Sequence, residues 1–257
     1  MPHLKHTRIL VTNDDGLGAE GIVLLEKIAR SLSDDVWVVA PEQEQSGAGH
    51  SLTLHEPIRV IAKDECHFAV RGTPTDAVLL AVMEIITDKR PELILSGINR
   101  GANLAEDVTY SGTIAAAMEG TLLEIPPIAL SNFMTNETPD WSAAEAHAAD
   151  IIRSVTQLAW PAHTFINVNF PGIPAAHVKG IKAAPQGRRK LDPEKLLRRS
   201  DPRGRPYYWI GGPGNVPYDE QPEADFHQIA AGYITVTPLH MDLTDHAFLR
   251  ELAEKVG

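Results

Sequence analysis

Short apolar runs alternate along the chain with stretches in which apolar residues recur at helical spacing. The run at residues 9–12 is continuous, which is typical of a parallel strand covered on both faces. Helical spacing follows at residues 22–32, and the next apolar run, residues 36–40, stops at Pro41. A strand, a helix and a strand with short links predict a βαβ unit.

The alternation continues to about residue 170 and predicts a doubly wound α/β core over that length. Further strands are predicted at residues 58–61, 68–70, 93–95, 128–130, 165–170, 207–210 and 233–237. The predicted helix starts are Thr73 followed by Pro74, Ser111, a capping box from Ser142 to Glu145 for a helix reaching about Leu158, and a final short helix from about Ala247.

Residues 172 to about 227 differ from this core. They are rich in proline, glycine and arginine, and their apolar content is thin. We therefore interpret them as an arm of a single domain, whose core consists of residues 1–171 and 228–257.

Composition narrows the classes of function. The chain has 257 residues, 43% of them hydrophobic, which is enough for one sizeable core. Its formal net charge of -11 disfavours binding to a nucleic-acid duplex or to an anionic membrane surface. The sequence shows one cysteine, Cys66, no signal peptide and no stretch as long as a membrane span, so we expect a cytoplasmic protein.

Four polar stretches occupy predicted loops that meet at one edge of the sheet, because the loops after parallel strands share that edge. They are Asn13-Asp14-Asp15-Gly16, Ser46-Gly47, Ser96-Gly97-Ile98-Asn99 and Tyr110-Ser111-Gly112-Thr113. Two adjacent carboxylates, a hydroxyl and an amide oxygen are hard ligands that suit Mg²⁺, Mn²⁺ or Ca²⁺. The helix start offers N–H and hydroxyl groups to an anion. A metal site beside an anion site indicates metal-assisted hydrolysis of a phosphate ester.

Each stretch taken alone has a simpler structural interpretation. Asp-Asp-Gly is a common turn, and Ser111 before a helix is ordinarily only an N-cap. The Ser46 segment can be a plain loop, and Asn99 and Asn103 can satisfy loop backbone groups. The coincidence of all four stretches on one side of the sheet is what favours a site.

Six sequence blocks follow one another along the chain. They are ILVTNDDG, APEQEQSGAGHSLT, GTPTDAV, LILSGINRGANLAEDVTYSGTIAAAMEG, FINVNFP and GYITVTPLHMDLT. In this order they resemble the SurE family, the stationary-phase survival proteins. The resemblance extends from Ile9 to Thr244, and its central block from Ser96 to Gly120 is long and specific.

The resemblance implies a metal-dependent nucleotidase that hydrolyses nucleoside 5'- and 3'-monophosphates to nucleoside and phosphate, with trimming of polyphosphate in some members. It implies one divalent ion, Mg²⁺ or Mn²⁺. It also implies a Rossmann-like core with an extended C-terminal hairpin that is exchanged between subunits in a homodimer or homotetramer. The arginine-rich segment is the candidate for that hairpin.

The resemblance also assigns individual residues. The implied metal ligands are Asp14, Asp15, Ser46 and Asn99, of which Asp14, Asp15 and Asn99 are also implied to be catalytic. The implied phosphate-binding residues are Asn103, Ser111, Gly112 and Thr113. Glu20 stands where the family pattern has proline, and Ala105 stands where it has glycine, which bears on loop detail and substrate preference.

Two questions stay open at this point. The nucleophile is either a water molecule activated at the metal or one of the two aspartates, and we favour water because both carboxylates are committed to the ion. The alternative function is a catalytically silent metal or nucleotide sensor of the same fold. A dinucleotide-dependent oxidoreductase is poorly supported, since the first turn carries acids where a pyrophosphate site needs glycines. A receiver-type phosphoacceptor is disfavoured because Ser96 stands where that class needs an aspartate.

Overall fold

The computed structural model describes residues 4–188, 196–210 and 221–256, and strands account for much of them. The strands are β1 (Arg8–Thr12), β2 (Asp35–Pro41), β3 (Val60–Ala62), β4 (His67–Val70), β5 (Leu93–Arg100), β6 (Pro127–Asn132), β7 (Thr164–Phe170), β8 (Ile181–Ala183), β9 (Leu196–Ser200), β10 (Pro206–Ile210) and β11 (Ile234–His240). The helices are α1 (Glu20–Leu32), α2 (Pro74–Leu80), α3 (Gly112–Leu122), α4 (Ser142–Thr156), α5 (Asp225–Ala230) and α6 (His246–Val256).

One sheet of nine strands organises the part of the chain that the structure describes. Its order is β3-β4-β2-β1-β5-β6-β7-β11-β8, and the six strands from β4 to β7 run parallel to one another. Residues of α1 and α4 pack together on one face, and residues of α2 and α3 pack on the other. This arrangement confirms the predicted doubly wound α/β fold.

The sheet register brings the predicted site loops together. Strand β1 lies between β2 and β5, and Thr12 at its end pairs with Ser96 of β5. The residues that follow β1 therefore emerge beside the last residues of β5. A Cβ atom on Gly21 would collide with the carbonyl oxygen of Ile98, so the glycine allows α1 to approach β5 closely at this edge.

The start of α4 differs from the predicted capping box, and that prediction is wrong. Trp141 precedes the helix, and Ser142 is already its first residue. The Asp140 carboxylate instead accepts hydrogen bonds from both the amide and the hydroxyl of Ser142, at 3.0 and 2.6 Å. Glu145 is drawn to Lys27 of α1, with 2.6 Å between the charged atoms. By contrast, the predicted cap at Thr73 is confirmed as a full capping box with Asp76.

Residues 172–227, which were predicted to form an arm, include segments that lie on the main sheet. Strand β8 within that range pairs with β11 in the main sheet, and Asp225 at the start of α5 is fully buried. The hairpin of β9 and β10 forms a separate antiparallel pair in which every residue is exposed. Two segments of the predicted arm, residues 189–195 and 211–220, lie outside the described residues.

The C-terminal helix and the sheet differ in burial. Helix α6 has no buried residue, although Phe248 and Leu249 are among its side chains. Within the described ranges, no helix is both long and apolar enough to cross a membrane.

Candidate metal and phosphate site

The acid pair after β1 is held by three neighbouring loops. Asp14 is 4% exposed, and one of its carboxylate oxygens accepts a hydrogen bond from the Thr113 hydroxyl. The backbone oxygen of Asp14 accepts from the amide of Gln45, in the loop after β2, at 2.8 Å. Asp15 is half-buried, and its Oδ2 accepts from the amide of Arg100, at the end of β5, at 3.2 Å.

Burial makes the charged form of both aspartates costly. It raises the pKa of Asp14 to about 6, against the opposing hydrogen bond from Thr113 and with a further contribution from the charge of Asp15. Burial also raises the pKa of Asp15, which the amide of Arg100 opposes and the charge of Glu44 reinforces. A bound cation would relieve both carboxylates, because it favours their ionised forms.

The start of α3 is pressed against Asp14. Ser111 is the N-cap, as predicted, and its hydroxyl accepts a hydrogen bond from the amide of Ile114 at 3.1 Å. A Cβ atom on Gly112 would lie only 2.7 Å from the Cβ of Asp14, so a glycine is required at this contact. The amide of Thr113 also contributes to holding the Asp14 carboxylate. The positive end of the α3 dipole is therefore directed at the buried acid.

Ser46 and Asn99 flank the acid pair. The exposed Ser46 lines the same cavity as Asp15, and its hydroxyl donates to Glu44 at 2.8 Å. The side-chain nitrogen of Asn99 donates to the carbonyl of Gly101 at 2.8 Å, so its amide oxygen is the atom left to act as a ligand. Asn99 directly precedes Arg100, whose amide binds Asp15.

The donor set fits a hard divalent cation. Among the described residues, no three side chains of His, Cys, Asp or Glu converge, so the candidate site relies on two carboxylates, a hydroxyl and an amide. Next to the acids, the Asn13 side-chain oxygen is buried and has no hydrogen-bond partner within the described ranges. Its nitrogen donates to the Gly16 carbonyl at 2.8 Å. An unpartnered buried acceptor beside two costly carboxylates is a favourable setting for a cation.

Asn103 lies two strands away from β1, over the ends of β6 and β7. Its side-chain nitrogen donates to Ser131 at 2.7 Å, and its amide donates to Asn169 at 2.8 Å. Its carbonyl accepts from both Asn167 and Asn169, at 2.8 and 3.0 Å. These three supporting residues, Ser131, Asn167 and Asn169, were not among the site residues predicted from the sequence. The alternating Asn-Val-Asn of a buried strand was the available signal, since it places two amides on one face.

The residue after this asparagine loop has an unusual backbone. Ala105 has a φ of +51°, a left-handed conformation that glycine adopts more readily than alanine. The Asp225 carboxylate holds the amide of Ala105 at 3.0 Å and the amide of Gly187 at 2.9 Å. Ala105 therefore stands in place of the expected glycine at a position where the backbone favours glycine. The hydrogen bond from its amide to Asp225 holds the backbone in this conformation.

The comparison with known families decides the assignment. The family described as Survival protein SurE matches residues 9–193 of this chain. The chain belongs to the SurE family. The resemblance found in the sequence is thereby confirmed.

SurE proteins from several bacteria are similar over almost the whole chain. A protein of Rhodopseudomonas palustris named 5'-nucleotidase SurE is 50% identical over 254 residues, which cover 97% of this chain and 100% of that protein. One of the same name from Rhodospirillum rubrum is 53% identical over 248 residues, covering 94% and 93%. The crystal structure of the SurE protein from Aquifex aeolicus superposes with a TM-score of 0.85 at 39% identity, covering 97% of this chain and 100% of that one.

Proposed function

We propose that this SurE-family chain is a metal-dependent nucleotidase that hydrolyses nucleoside 5'-monophosphates to nucleoside and phosphate. The observation that carries the proposal is the buried Asp14 carboxylate, which lies against the first turn of a helix. A carboxylate pair that favours a cation thus adjoins a helix start that favours an anion. The relatives from Rhodopseudomonas palustris and Rhodospirillum rubrum, named 5'-nucleotidase, support the same activity.

One divalent ion, Mg²⁺ or Mn²⁺, is proposed as the cofactor. Its ligands would be the oxygens of Asp14, Asp15, Ser46 and Asn99. When bound, such an ion supplies Lewis-acid polarisation of a phosphoryl oxygen and offsets negative charge. The chain itself carries a net charge of -11, so it would otherwise repel a phosphate ester.

The helix start and Asn103 are proposed to bind the phosphate oxygens. Thr113 has a hydroxyl and an amide at this point, and both donate to the Asp14 carboxylate. With a cation on that carboxylate, the same two donors would be available to a phosphoryl oxygen. The Ser111 oxygen caps the helix by accepting from the amide of Ile114, which keeps Gly112 and Thr113 in place, and its O–H group can donate to a phosphoryl oxygen. Asn103 is fixed from β6 and β7 by Ser131 and the strand asparagines.

Water is the proposed nucleophile. Asp14 is packed against Gly112 at the start of α3, and Asp15 is held by the amide of Arg100. Both carboxylates are thus engaged in positioning, and attack by either one on phosphorus would break these contacts. Their proposed role is to orient the site and to balance its charge.

A second copy of the chain is the proposed partner. The hairpin of β9 and β10 exposes apolar and aromatic side chains, and so does α6. The exposed residues are Leu196, Leu197, Tyr207, Tyr208, Trp209 and Ile210 on the hairpin and Phe248, Leu249, Leu252 and Val256 on the helix. Large apolar side chains exposed in this number are typical of surfaces that are covered in an oligomer. We propose a homodimer or homotetramer assembled through this arm.

Phosphate release from a panel of esters tests the function. The panel contains nucleoside 5'- and 3'-monophosphates and tripolyphosphate, each with Mg²⁺, with Mn²⁺ and with excess chelator. We expect metal-dependent release from the 5'-monophosphates by the wild type and none by Asp14→Asn. The matched control is Asp34→Asn. Asp34 is an exposed acid that directly precedes the first residue of β2, whereas the Ser46 loop follows the last residue of that strand.

Each result of the panel has a defined meaning. Release from the 3'-monophosphates or from tripolyphosphate would widen the substrate range. No release from folded protein with either metal would overturn the nucleotidase and favour the silent sensor.

A further inference from the structure

A cavity of about 650 Å³ opens beside the acid pair. Asp15 and Ser46, two of the candidate metal ligands, form part of its lining. The beginning of α1 and the segment before α4 form another part, through Glu20, Glu137 and Trp141. A phosphate group alone does not fill this volume, whereas cavities of roughly 300–1000 Å³ are typical for ligands of nucleotide size.

Trp141 provides a fixed aromatic surface in this cavity. The side chain is partly buried and packs against the core between α1 and α4. Its indole N–H donates to the Glu20 carboxylate at 3.3 Å, which ties the ring to the start of α1. The ring is therefore held from two sides while it lines the cavity. An indole anchored in this way offers a surface on which a nucleobase can stack.

The charge of the cavity wall is predominantly negative. The carboxylates in the lining are Asp15, Glu20, Glu44 and Glu137. They face one guanidinium, that of Arg100, which donates to the Glu137 carbonyl at 2.6 Å. Carboxylates accept hydrogen bonds from ribose hydroxyls and base N–H groups, and they repel a second anionic group.

We propose that this cavity receives the nucleoside part of the substrate, with the base stacked on Trp141. Its carboxylates disfavour leaving groups that are themselves anionic, such as the rest of a polyphosphate chain. The inference rests on the proposed nucleotidase function and names the part of the protein that chooses among phosphate esters. Glu20 stands where the family resemblance predicted proline, so this wall departs from the expected sequence.

The contribution of the base is isolated by comparing adenosine 5'-monophosphate with ribose 5-phosphate, which lacks only the base. For Trp141→Ala we expect KM for the nucleotide to rise about tenfold, the equivalent of one stacked base. Hydrolysis of ribose 5-phosphate should remain at the wild-type rate, which also shows that the variant is folded. Trp141→Phe retains a stacking surface and should restore most of the affinity. An equal loss on both esters, or no loss on either, would overturn the assignment of Trp141.

The charge of the wall is tested separately with tripolyphosphate as a competitive inhibitor of nucleotide hydrolysis. The variant is Glu20→Gln combined with Glu137→Gln, which removes two negative charges and leaves the metal ligands unchanged. We expect its inhibition constant for tripolyphosphate to fall severalfold relative to KM for adenosine 5'-monophosphate measured on the same variant. An unchanged ratio of these two constants would refute the selection by charge.

Binding of adenosine distinguishes failure of this inference from failure of the proposed function. Adenosine has no phosphate, so its binding depends on the cavity and not on hydrolysis. Calorimetric titration should give measurable binding to the wild type and about tenfold weaker binding to Trp141→Ala. If the protein binds adenosine through Trp141 but releases no phosphate, the cavity assignment is supported and the nucleotidase function is refuted. If the protein releases phosphate but wild type and Trp141→Ala bind adenosine equally, the function is supported and the cavity assignment is refuted.

Discussion

Removal of the Asp14 charge should stabilise the metal-free protein while it abolishes turnover. Asp14 is 4% exposed, and its strongest partner within the described residues is the neutral hydroxyl of Thr113. An ionised carboxylate in that position has lost its hydration without gaining a cation. Asparagine has almost the same shape and can still accept the Thr113 hydrogen bond, but it carries no charge. Asp14→Asn therefore isolates the charge from the packing.

The magnitude follows from the pKa. Burial raises the pKa of Asp14 from its ordinary 3.8 to about 6. At about 1.4 kcal/mol for each pH unit, this difference corresponds to roughly 3 kcal/mol. A carboxyl with a raised pKa binds its proton more tightly when folded than when unfolded. Its stabilising contribution is therefore complete below about pH 4 and is lost as the pH rises to about 6.

Urea unfolding in excess chelator measures the effect at pH 4 and at pH 8. At pH 8 the free energy of unfolding of Asp14→Asn should exceed that of the wild type by up to about 3 kcal/mol, and at pH 4 the two should nearly coincide. Acids remote from Asp14 titrate equally in both proteins and cancel in the difference, whereas Asp15, whose charge acts on Asp14, loses a repulsive neighbour in the variant. Asp34→Asn, the exposed control, should follow the wild type at both pH values.

A divalent metal should reverse this order. Mg²⁺ that binds only the folded wild type adds about 2.7 kcal/mol at a hundred times its Kd, whereas Asp14→Asn should gain much less. The reasoning would be refuted if the variant in chelator were less stable than the wild type at pH 8. A difference that stayed constant between pH 4 and pH 8 would have the same consequence.

Three further substitutions test the supporting contacts. Gly112→Ala should lower the free energy of unfolding by roughly 1–3 kcal/mol in urea and suppress phosphate release, because its Cβ would lie 2.7 Å from the buried acid. Gly18→Ala, where no atom lies within 4 Å of the new Cβ, should change neither measurement. Asn169→Ala removes two hydrogen bonds to the loop that carries Asn103, so it should lower the free energy of unfolding in urea by roughly 1–3 kcal/mol and lower kcat/KM. Normal kinetics would contradict that role. The side chain of Ile210 is 88% exposed, so Ile210→Lys should dissociate the oligomer in sedimentation velocity if a second copy covers it. Leu158 is 66% exposed at a different place, and Leu158→Lys should leave the oligomer intact. A monomeric wild type would refute the proposed assembly.

Local sequence signals predicted the elements well where the chemistry is local. The apolar run before Asp14 predicted a buried central strand, and the polar starts at Thr73 and Ser111 predicted helix caps that the structure confirms. The Ser142 capping box failed because a neighbouring carboxylate, that of Asp140, competes for the same serine. Capping patterns are predictive only where no closer acceptor is present.

Strand β8 could not be predicted, for a different reason. Ile181 and its neighbours look polar and irregular in the sequence, yet they add a strand to the sheet edge beside β11. An edge strand of three exposed residues contributes little apolar periodicity, so its pairing is visible only in three dimensions. Asp225, which ties Gly187 to Ala105, is likewise separated from its partners by 38 and 120 residues.

The sequence by itself determined the order of strands and helices from β1 to β7, the acid pair and the family. These features depend on periodicity and on short blocks of residues, which are local in the sequence and need no knowledge of long-range contacts. Only the tertiary structure decided that Thr113 serves Asp14, that two strand asparagines hold Asn103, and that Trp141 and Glu20 enclose a cavity beside the acids. Such contacts join residues up to 121 positions apart, and they exist because the sheet register brings separate loops to one edge.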